Sequence, residues 1–585
     1  MSAVVPNPRP PTLRRQHAGL PAAPPSRYHR VDMTTRPGLS APPPAPRMLR
    51  SGMIVMGAFL LSKVVGLLRD RAIAGQFGAG RELDAYVAAF KIPDLLFTVF
   101  AGGALISAFM PVFIDSLTAA GGGSGPSDPG NSADSSSPTS DPWRLASAVG
   151  NWVALATVGL GCLAALFAGP LVRHVVAPSF DAAQATLTAD LMRIVLISTV
   201  IFAVSGLQMG ILNAYHHFLT PAVAPIMYNL GIWAGALWLA PRLGIHGLAW
   251  GVVLGALGHL LIKLPPLLGR GYRWLPVLGL NDAAVRLVFL LMLPRMLALG
   301  TVRAMDLINV RLGSGLPPGS LSAINYAWLI SQMPQTLLGT AIATVAFPAL
   351  AGLASRGDQE GLRRVARQAM AIMLALALPT AVALWTLGGA AIDLLLRTGR
   401  FDAAAAALTL GALQMFALGL TGHVTLEIVA RLYYARKDTW TPLWMAVFAL
   451  LLNLILALVW IGPLAHRGLA LANSVAVTAE VILGLALLRR GLGGLDLPAI
   501  LRDLLRAGVA AGVMGLAIVA VLRAGPVAAL AAILGKLGPL ATRPALAEGL
   551  AGLSLGSAVG AAIYLAVGLA LGVEGLRLGW RRVRG

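Results

Sequence analysis

Runs of about 20 apolar residues recur along this chain, separated by short polar connections. Each is long enough to cross the hydrocarbon of a bilayer as a helix. Leu, Ala, Gly and Val fill the runs without the strict alternation of a barrel strand, so the pattern predicts helices. The predicted spans are 49–77, 84–117, 143–176, 186–216, 220–241, 246–268, 284–312, 320–353, 361–396, 403–435, 440–461, 468–489, 500–523 and 547–572. The expected fold is an all-α polytopic membrane protein of about 14 transmembrane helices.

Two stretches lack this pattern. Residues 1–47 are rich in Pro, Ala and Arg and hold no apolar run, so they lack the hydrophobic region of a secretory signal and read as a disordered cytoplasmic tail. Residues 118–142, between the second and third runs, are rich in Gly, Ser, Asp and Pro and read as a flexible linker.

Composition agrees with the pattern. The chain is 57% hydrophobic and only 12% charged, about half the charged share of a soluble protein. A net charge of +21 raises the question of nucleic acid. The arginines, however, form no stripe; they gather in the tails and in alternate connections, the positive-inside pattern of a membrane protein. One set of connections holds Arg144, Arg270, Arg273, Arg356, Arg363, Arg364, Arg367, Arg436, Lys437, Arg489, Arg490, Arg502 and Arg506, and the C-terminal tail adds four more arginines. This argues against a nucleic-acid partner and puts both termini in the cytoplasm, which requires an even number of spans. Cys162 is the only cysteine, so no internal disulfide is possible. No P-loop, metal-ligand spacing or nucleophile with a nearby base occurs, so neither enzyme activity, metal nor cofactor is expected.

An internal repeat is visible. Ala214, Thr220-Pro221 and Gly247-Leu248-Ala249 recur as Ala435, Thr441-Pro442 and Gly468-Leu469-Ala470 at one offset of 221 residues. Two six-helix lobes follow, of like orientation, related by a pseudo-two-fold axis along the membrane normal around a central cavity. The layout is an N-lobe over 48–268, a C-lobe over 269–490, and helices thirteen and fourteen with a basic tail over 491–585.

Ionisable residues inside apolar runs each cost about 2.5–3.5 kcal/mol on insertion scales and need a reason. The first two helices hold Lys63, Arg69, Asp70, Arg71, Asp84, Lys91 and Asp94, and the seventh holds Arg295, Arg303, Asp306 and Arg311. Cations converging from both lobes on a cavity with few free carboxylates would suit a phosphate-bearing cargo. The competing reading is structural ion pairs and interfacial anchors, which is preferred for Arg71 and Arg311. Arg69 fits either, while Lys63 and Arg303 read as cavity residues. Asp306, Asn453, Asn473 and Thr478 could form a cation site or serve as interhelical polar contacts. Pro93 and Pro111 on the second helix, with Pro334 and Pro348 on the eighth, predict helix bends in both lobes.

Several stretches carry a family resemblance. Ser62 opens S-K-V-V-G-L-L-R-D, F-G-A-G precedes Asp84-Ala85, and A-F-K-I-P-D-L-L follows. Further on stand I-L-N-A-Y-H-H-F from Ile211, P-A-x-A-P-x-x-x-N from Pro221, G-R-F-D-A from Gly399 and W-I-G-P-L-A-H-R-G-L from Trp460. Together these resemble the MurJ/MviN family of lipid II flippases, within the multidrug/oligosaccharidyl-lipid/polysaccharide exporter superfamily. The resemblance implies a cationic cavity that takes the diphosphate of lipid II from the inner to the outer leaflet of the bacterial cytoplasmic membrane. It also implies membrane lipids, and possible cell-wall synthesis proteins, as partners. By motif, Lys63 stands where the family has an essential arginine, and Arg69, Asp84 and Lys91 match directly. Two usual cavity arginines are replaced, by Phe97 and Leu329, and Gly102 replaces a glutamate. Arg303 is expected to compensate. Ala457 stands where some relatives have a sodium-site carboxylate. The alternatives are an exporter of another polyprenyl-linked glycan or of drugs, and a non-transporting scaffold that recruits wall-synthesis proteins.

Overall fold

The structure, a computed structural model, describes residues 45–100, 103–121, 141–279, 281–492, 496–536 and 544–578. Most of the expected tail (1–47) and linker (118–142) lies outside these residues; where described, both merge into the flanking helices.

Among the described residues, fourteen long helical segments follow one another. In the first half these are α1 (Ala45–Phe77), α2 (Arg81–Ala89, Lys91–Phe100 and Gly103–Gly121), α3 (Pro142–Leu166), α4 (Ala182–Ala214), α5 (Leu219–Leu243) and α6 (Ile245–Leu261). The second half has α7 (Ala283–Gly313), α8 (Ser320–Ser355), α9 (Gln359–Leu395), α10 (Ala403–Ala435), α11 (Trp440–Leu464) and α12 (His466–Leu492). A final pair, α13 (Leu497–Arg523) and α14 (Pro544–Leu571), closes the chain. Among the described residues, 12 segments are long and apolar enough to cross a membrane. The other two, α1 and α7, are 33 and 31 residues long and carry the dense charges seen in the sequence.

The chain spends its scarce carboxylates on helix starts. Asp141, Asp181, Asp282, Asp358, Asp402 and Asp496 each accept a hydrogen bond from a backbone N–H two or three residues on, opening α3, α4, α7, α9, α10 and α13. Each cap satisfies a donor that the first helical turn cannot.

The repeat is realised in packing. α4 lies against α3 and α6, as α10 lies against α9 and α12; α5 pairs with α6 and α1, as α11 pairs with α12 and α7. α5 and α6 approach until their backbones touch: a Cβ on Gly231 would lie 2.2 Å from the Gly255 Cα. Small residues allow such contact where lipid gives no hydrophobic drive. α13 and α14 pack on each other and on α9, outside the two lobes.

Two of the four expected proline bends coincide with interruptions. Pro93 cannot donate to the Ala89 carbonyl, and α2 breaks at Phe90. After Pro334, α8 widens into a π-turn over Gln335–Thr340. Pro111 and Pro348 lie within unbroken helix.

Candidate functional site

The lobes are tied together at one end of the bundle, where α1 leads into α2 and α7 into α8. Asp84, on the first turn of α2, is buried and aims its carboxylate at the start of α8. It accepts from the Gly319 N–H (2.6 Å), the Ser322 N–H (2.7 Å) and the Ser322 hydroxyl (2.5 Å). This is a helix cap supplied by the opposite lobe, so the free amides of α8 meet a negative charge. Gly319 (φ +89°) sits so close that a Cβ would fall 2.5 Å from the Ala79 carbonyl oxygen. A glycine is therefore required on both conformational and steric grounds.

Two arginines add a tie that obeys the pseudo-symmetry. Arg71 of α1 donates to the Leu394 carbonyl near the end of α9, and Arg311 of α7 donates to the His174 carbonyl just beyond α3. In each case the first helix of one lobe holds a carbonyl at a helix C-terminus of the other, in the last turn of α9 for Arg71 and in the turn Val172–Val176 after α3 for Arg311, where a cation is favoured. The Arg400 N–H donates to the Gly75 carbonyl at 2.8 Å, and an apolar cluster including Ile73, Phe77, Leu83, Leu321, Tyr326, Ile392 and Phe401 seals the seam.

Away from this closed end the symmetry breaks. α7 packs along the second and third pieces of α2, whereas among the described residues α1 has no comparable packing against α8. Between the lobes lie three compartments of about 580, 200 and 110 Å³. The first two share Arg69, Asp70 and Leu329 as lining, and the second and third share Val87, Lys91 and Asn325. They form one chain of space.

Three of the sequence-selected cations, Lys63, Arg69 and Lys91, line this space, whereas Arg303, expected in the cavity, lines none of the three compartments. Lys63 is exposed and lines the largest compartment. Arg69 lines the first two, its guanidinium bonded to Asp70 (2.6 and 2.9 Å) and to the Asn229 side-chain oxygen (2.8 Å). Lys91 lines the second and third. Arg303 crosses from α7 to α2, donating to the Thr98 hydroxyl at 3.0 Å while pairing with Asp306 at 3.0 Å.

Two expectations need correction. The chamber is not poor in carboxylates: Asp70 and Asp94 line the second compartment and Asp306 the third, so Lys63, Arg69 and Lys91 share the space with three aspartates, one of which, Asp306, pairs with Arg303. Burying unpaired guanidinium in a membrane protein is costly, and neighbouring carboxylates offset that cost while the chamber is unloaded. Asp84, expected in the cavity, spends its oxygens on the α8 cap instead.

The proposed cation site is brought together only in part. Asp306, Asn309 and Asn473 line the third compartment, Asn453 donates to the Asn309 side chain at 3.2 Å, and Asn473 contacts His423 at 3.0 Å. Thr478 bonds back to the Ser474 carbonyl of its own helix and does not line this compartment. Sequence reasoning gave no role to Thr98, Asn309 or Asn325. Asn229 did end a quoted motif, and that was its one signal.

A family model described as lipid II flippase MurJ matches residues 73–528, more than half of the chain. The chain belongs to the MurJ family. It is 30% identical over 455 residues to the lipid II flippase MurJ of Burkholderia cenocepacia, covering 76% of this chain and 84% of that protein. The probable lipid II flippase MurJ of Bdellovibrio bacteriovorus is 29% identical over 469 residues, covering 79% and 86%. A solved lipid II flippase MurJ in an inward closed conformation has the same fold, with TM-score 0.69, 22% identity, and 88% of this chain and 98% of that chain covered. An inward-facing MATE family transporter of the MOP superfamily matches at TM-score 0.60 and 13% identity, covering 76% and 98%.

Within this MurJ fold the departures noted in the sequence have definite settings. Phe97 stacks edge-on to Phe202 (5.5 Å) rather than lining the chamber, and the next residue, Thr98, receives Arg303. Leu329 lines the first two compartments as an apolar wall. Ala457 is fully buried beside Leu469 and Ala472.

Proposed function

We infer that this chain is a lipid II flippase, carrying the undecaprenyl-diphosphate-linked precursor of peptidoglycan from the inner to the outer leaflet of the cytoplasmic membrane by alternating access. The observation that carries the reading is the chamber between two lobes that are clasped at one end and parted, between α1 and α8, towards the other. A lipid-linked cargo needs such a side opening, because its tail stays in the bilayer while its polar headgroup moves through the protein.

Placement of Lys and Arg favours a cytoplasmic location for the open end and for both termini. With a rise of 1.5 Å per residue, Arg69, Lys91, Arg303 and Lys63 lie about 12 to 21 Å along their helices from the closed end. They stand at mid-membrane depth, where a charged headgroup most needs replacement for its lost water. Lys63 is nearest the open end and meets the diphosphate first. Arg69 and Arg303 then exchange Asp70 and Asp306 for phosphate oxygens, which accept paired guanidinium donors as well as a carboxylate does. Release to the other side requires the Asp84 cap and the Arg71 and Arg311 ties to open as the lobes (48–268 and 269–490) rock apart. No chemical step is required.

The test is lipid II binding and flipping by reconstituted protein, together with complementation of a flippase-depleted cell. Wild-type complementation, lost in Arg69→Gln at equal protein abundance, is expected. Complementation that survives every chamber substitution would identify a scaffold instead, and failure of wild-type protein to bind lipid II would point to another polyprenyl-linked glycan.

A further inference from the structure

Arginines at the start of α9 and the end of α12, facing the apolar first turns of α13, build a second polar site that belongs to no part of the chamber. Among the described residues α13 packs along α9, while its contact with α12 is slight, limited to the cluster that Ile500 shares with Leu488. The gap that remains, with α9 at its edge, is a groove of about 1090 Å³. Arg363, Arg364 and Arg367 from the start of α9 and Arg489 from the end of α12 line it, against two carboxylates, Glu360 and Asp496. None of these residues lines the three chamber compartments.

The groove changes character with depth. Ile482 lies seven residues before Arg489 on α12, about 10 Å further along the helix. It is 63% exposed, and Leu501 on the facing side of α13 is 55% exposed. Arginines at a membrane-protein helix end, continuing into exposed aliphatic side chains on the same wall, match the two parts of a phospholipid. A phosphodiester would sit among the guanidiniums and an acyl chain along Ile482, Leu485 and Leu501. Some of the cations are already engaged, since Arg364 pairs with Glu360 (3.1 Å) and Arg367 with Glu574 (3.0 Å). With Glu574 counted, four guanidiniums stand against three carboxylates, and the remaining positive charge selects an anionic headgroup over a zwitterionic one.

We propose that the groove between α12 and α13 is a binding site for an anionic glycerophospholipid of the surrounding leaflet. The two helices outside the lobes thereby acquire a role, as one wall of a lipid site flanking the C-lobe. This inference is independent of the flippase reading.

The full-length protein in detergent, offered equal amounts of phosphatidylglycerol and phosphatidylethanolamine with matched chains, tests the proposal by native mass spectrometry. Wild type should retain phosphatidylglycerol in preference by about tenfold or more, and R363Q/R364Q/R489Q should lose that preference. Ile482→Asp, which puts a charge where the acyl chain lies, should lose it as well. The control R144Q/R273Q/R286Q removes three exposed arginines outside the groove and should behave as wild type. Glycerol 1-phosphate, a headgroup without chains, should not compete. Equal retention of both lipids, preference persisting in the triple groove variant, an equal loss in the control, or competition by glycerol 1-phosphate would each overturn the proposal.

Discussion

Arg303 of α7 donates through Nε to the hydroxyl of Thr98 on α2 at 3.0 Å, directly beside the position where the family resemblance leads one to expect a cavity arginine. The cation is thus supplied to nearly the same spot from the opposite lobe. Its guanidinium keeps a second contact with Asp306 and remains 38% exposed, so it is both held in place and accessible to an anion.

Removing this cation should weaken cargo binding. Arg303→Gln is expected to reduce lipid II affinity about tenfold, the scale of one charge-assisted hydrogen bond. Thr98→Val should cost less, because it removes only the orienting contact. Titration of reconstituted protein with lipid II measures both. Full affinity in Arg303→Gln, alongside loss in Lys63→Gln and Arg69→Gln, would show that Arg303 does not compensate.

Asp84→Asn should loosen the closed end. An amide replaces a charged acceptor at the start of α8, and the loss should be about 1–3 kcal/mol. Distances between spin labels on the Ala79 and Leu316 sides of the seam should broaden or lengthen. An unchanged distribution would remove the cap from the gating mechanism.

The two arginine ties should behave alike because they are symmetry partners. Arg71→Gln and Arg311→Gln are each expected to shift the same distance distribution in the same direction, and the double variant further. Opposite effects of the two variants would contradict the pseudo-two-fold account.

Asp438, in the connection before α11, gives a pH prediction outside the membrane. Bonds from the Thr441 hydroxyl and N–H and the Trp440 N–H hold its carboxyl below the ordinary range. A depressed value means that its stabilisation is complete above the ordinary carboxylate range and is lost as the pH falls through the lowered value. Exchange of the Trp440 and Thr441 amides, corrected for the intrinsic pH effect, should therefore stay slow near neutrality and quicken only in strong acid. Asp438→Ala should exchange fast at every pH.

Helix number, helix bounds and the repeat were legible because hydrocarbon accepts hardly anything except a continuous apolar helix, and a proline or capping aspartate ends one locally. The charges at 63, 69, 91 and 303 stood out for the same reason: lipid makes an ionisable residue conspicuous. What those charges touch was decided by packing. Whether Arg69 meets Asp70 or Asp84, whether Asp84 faces a chamber or caps α8, and whether Thr478 joins Asp306 depend on contacts between residues as much as 238 positions apart. One-dimensional spacing carries no information on such contacts. Sequence alone determined that this protein crosses a membrane many times and carries charge inside it. Tertiary structure alone decided which carboxylate neutralises which cation and at which end the lobes are joined, because electrostatic pairing at a few ångströms is a property of distance in space.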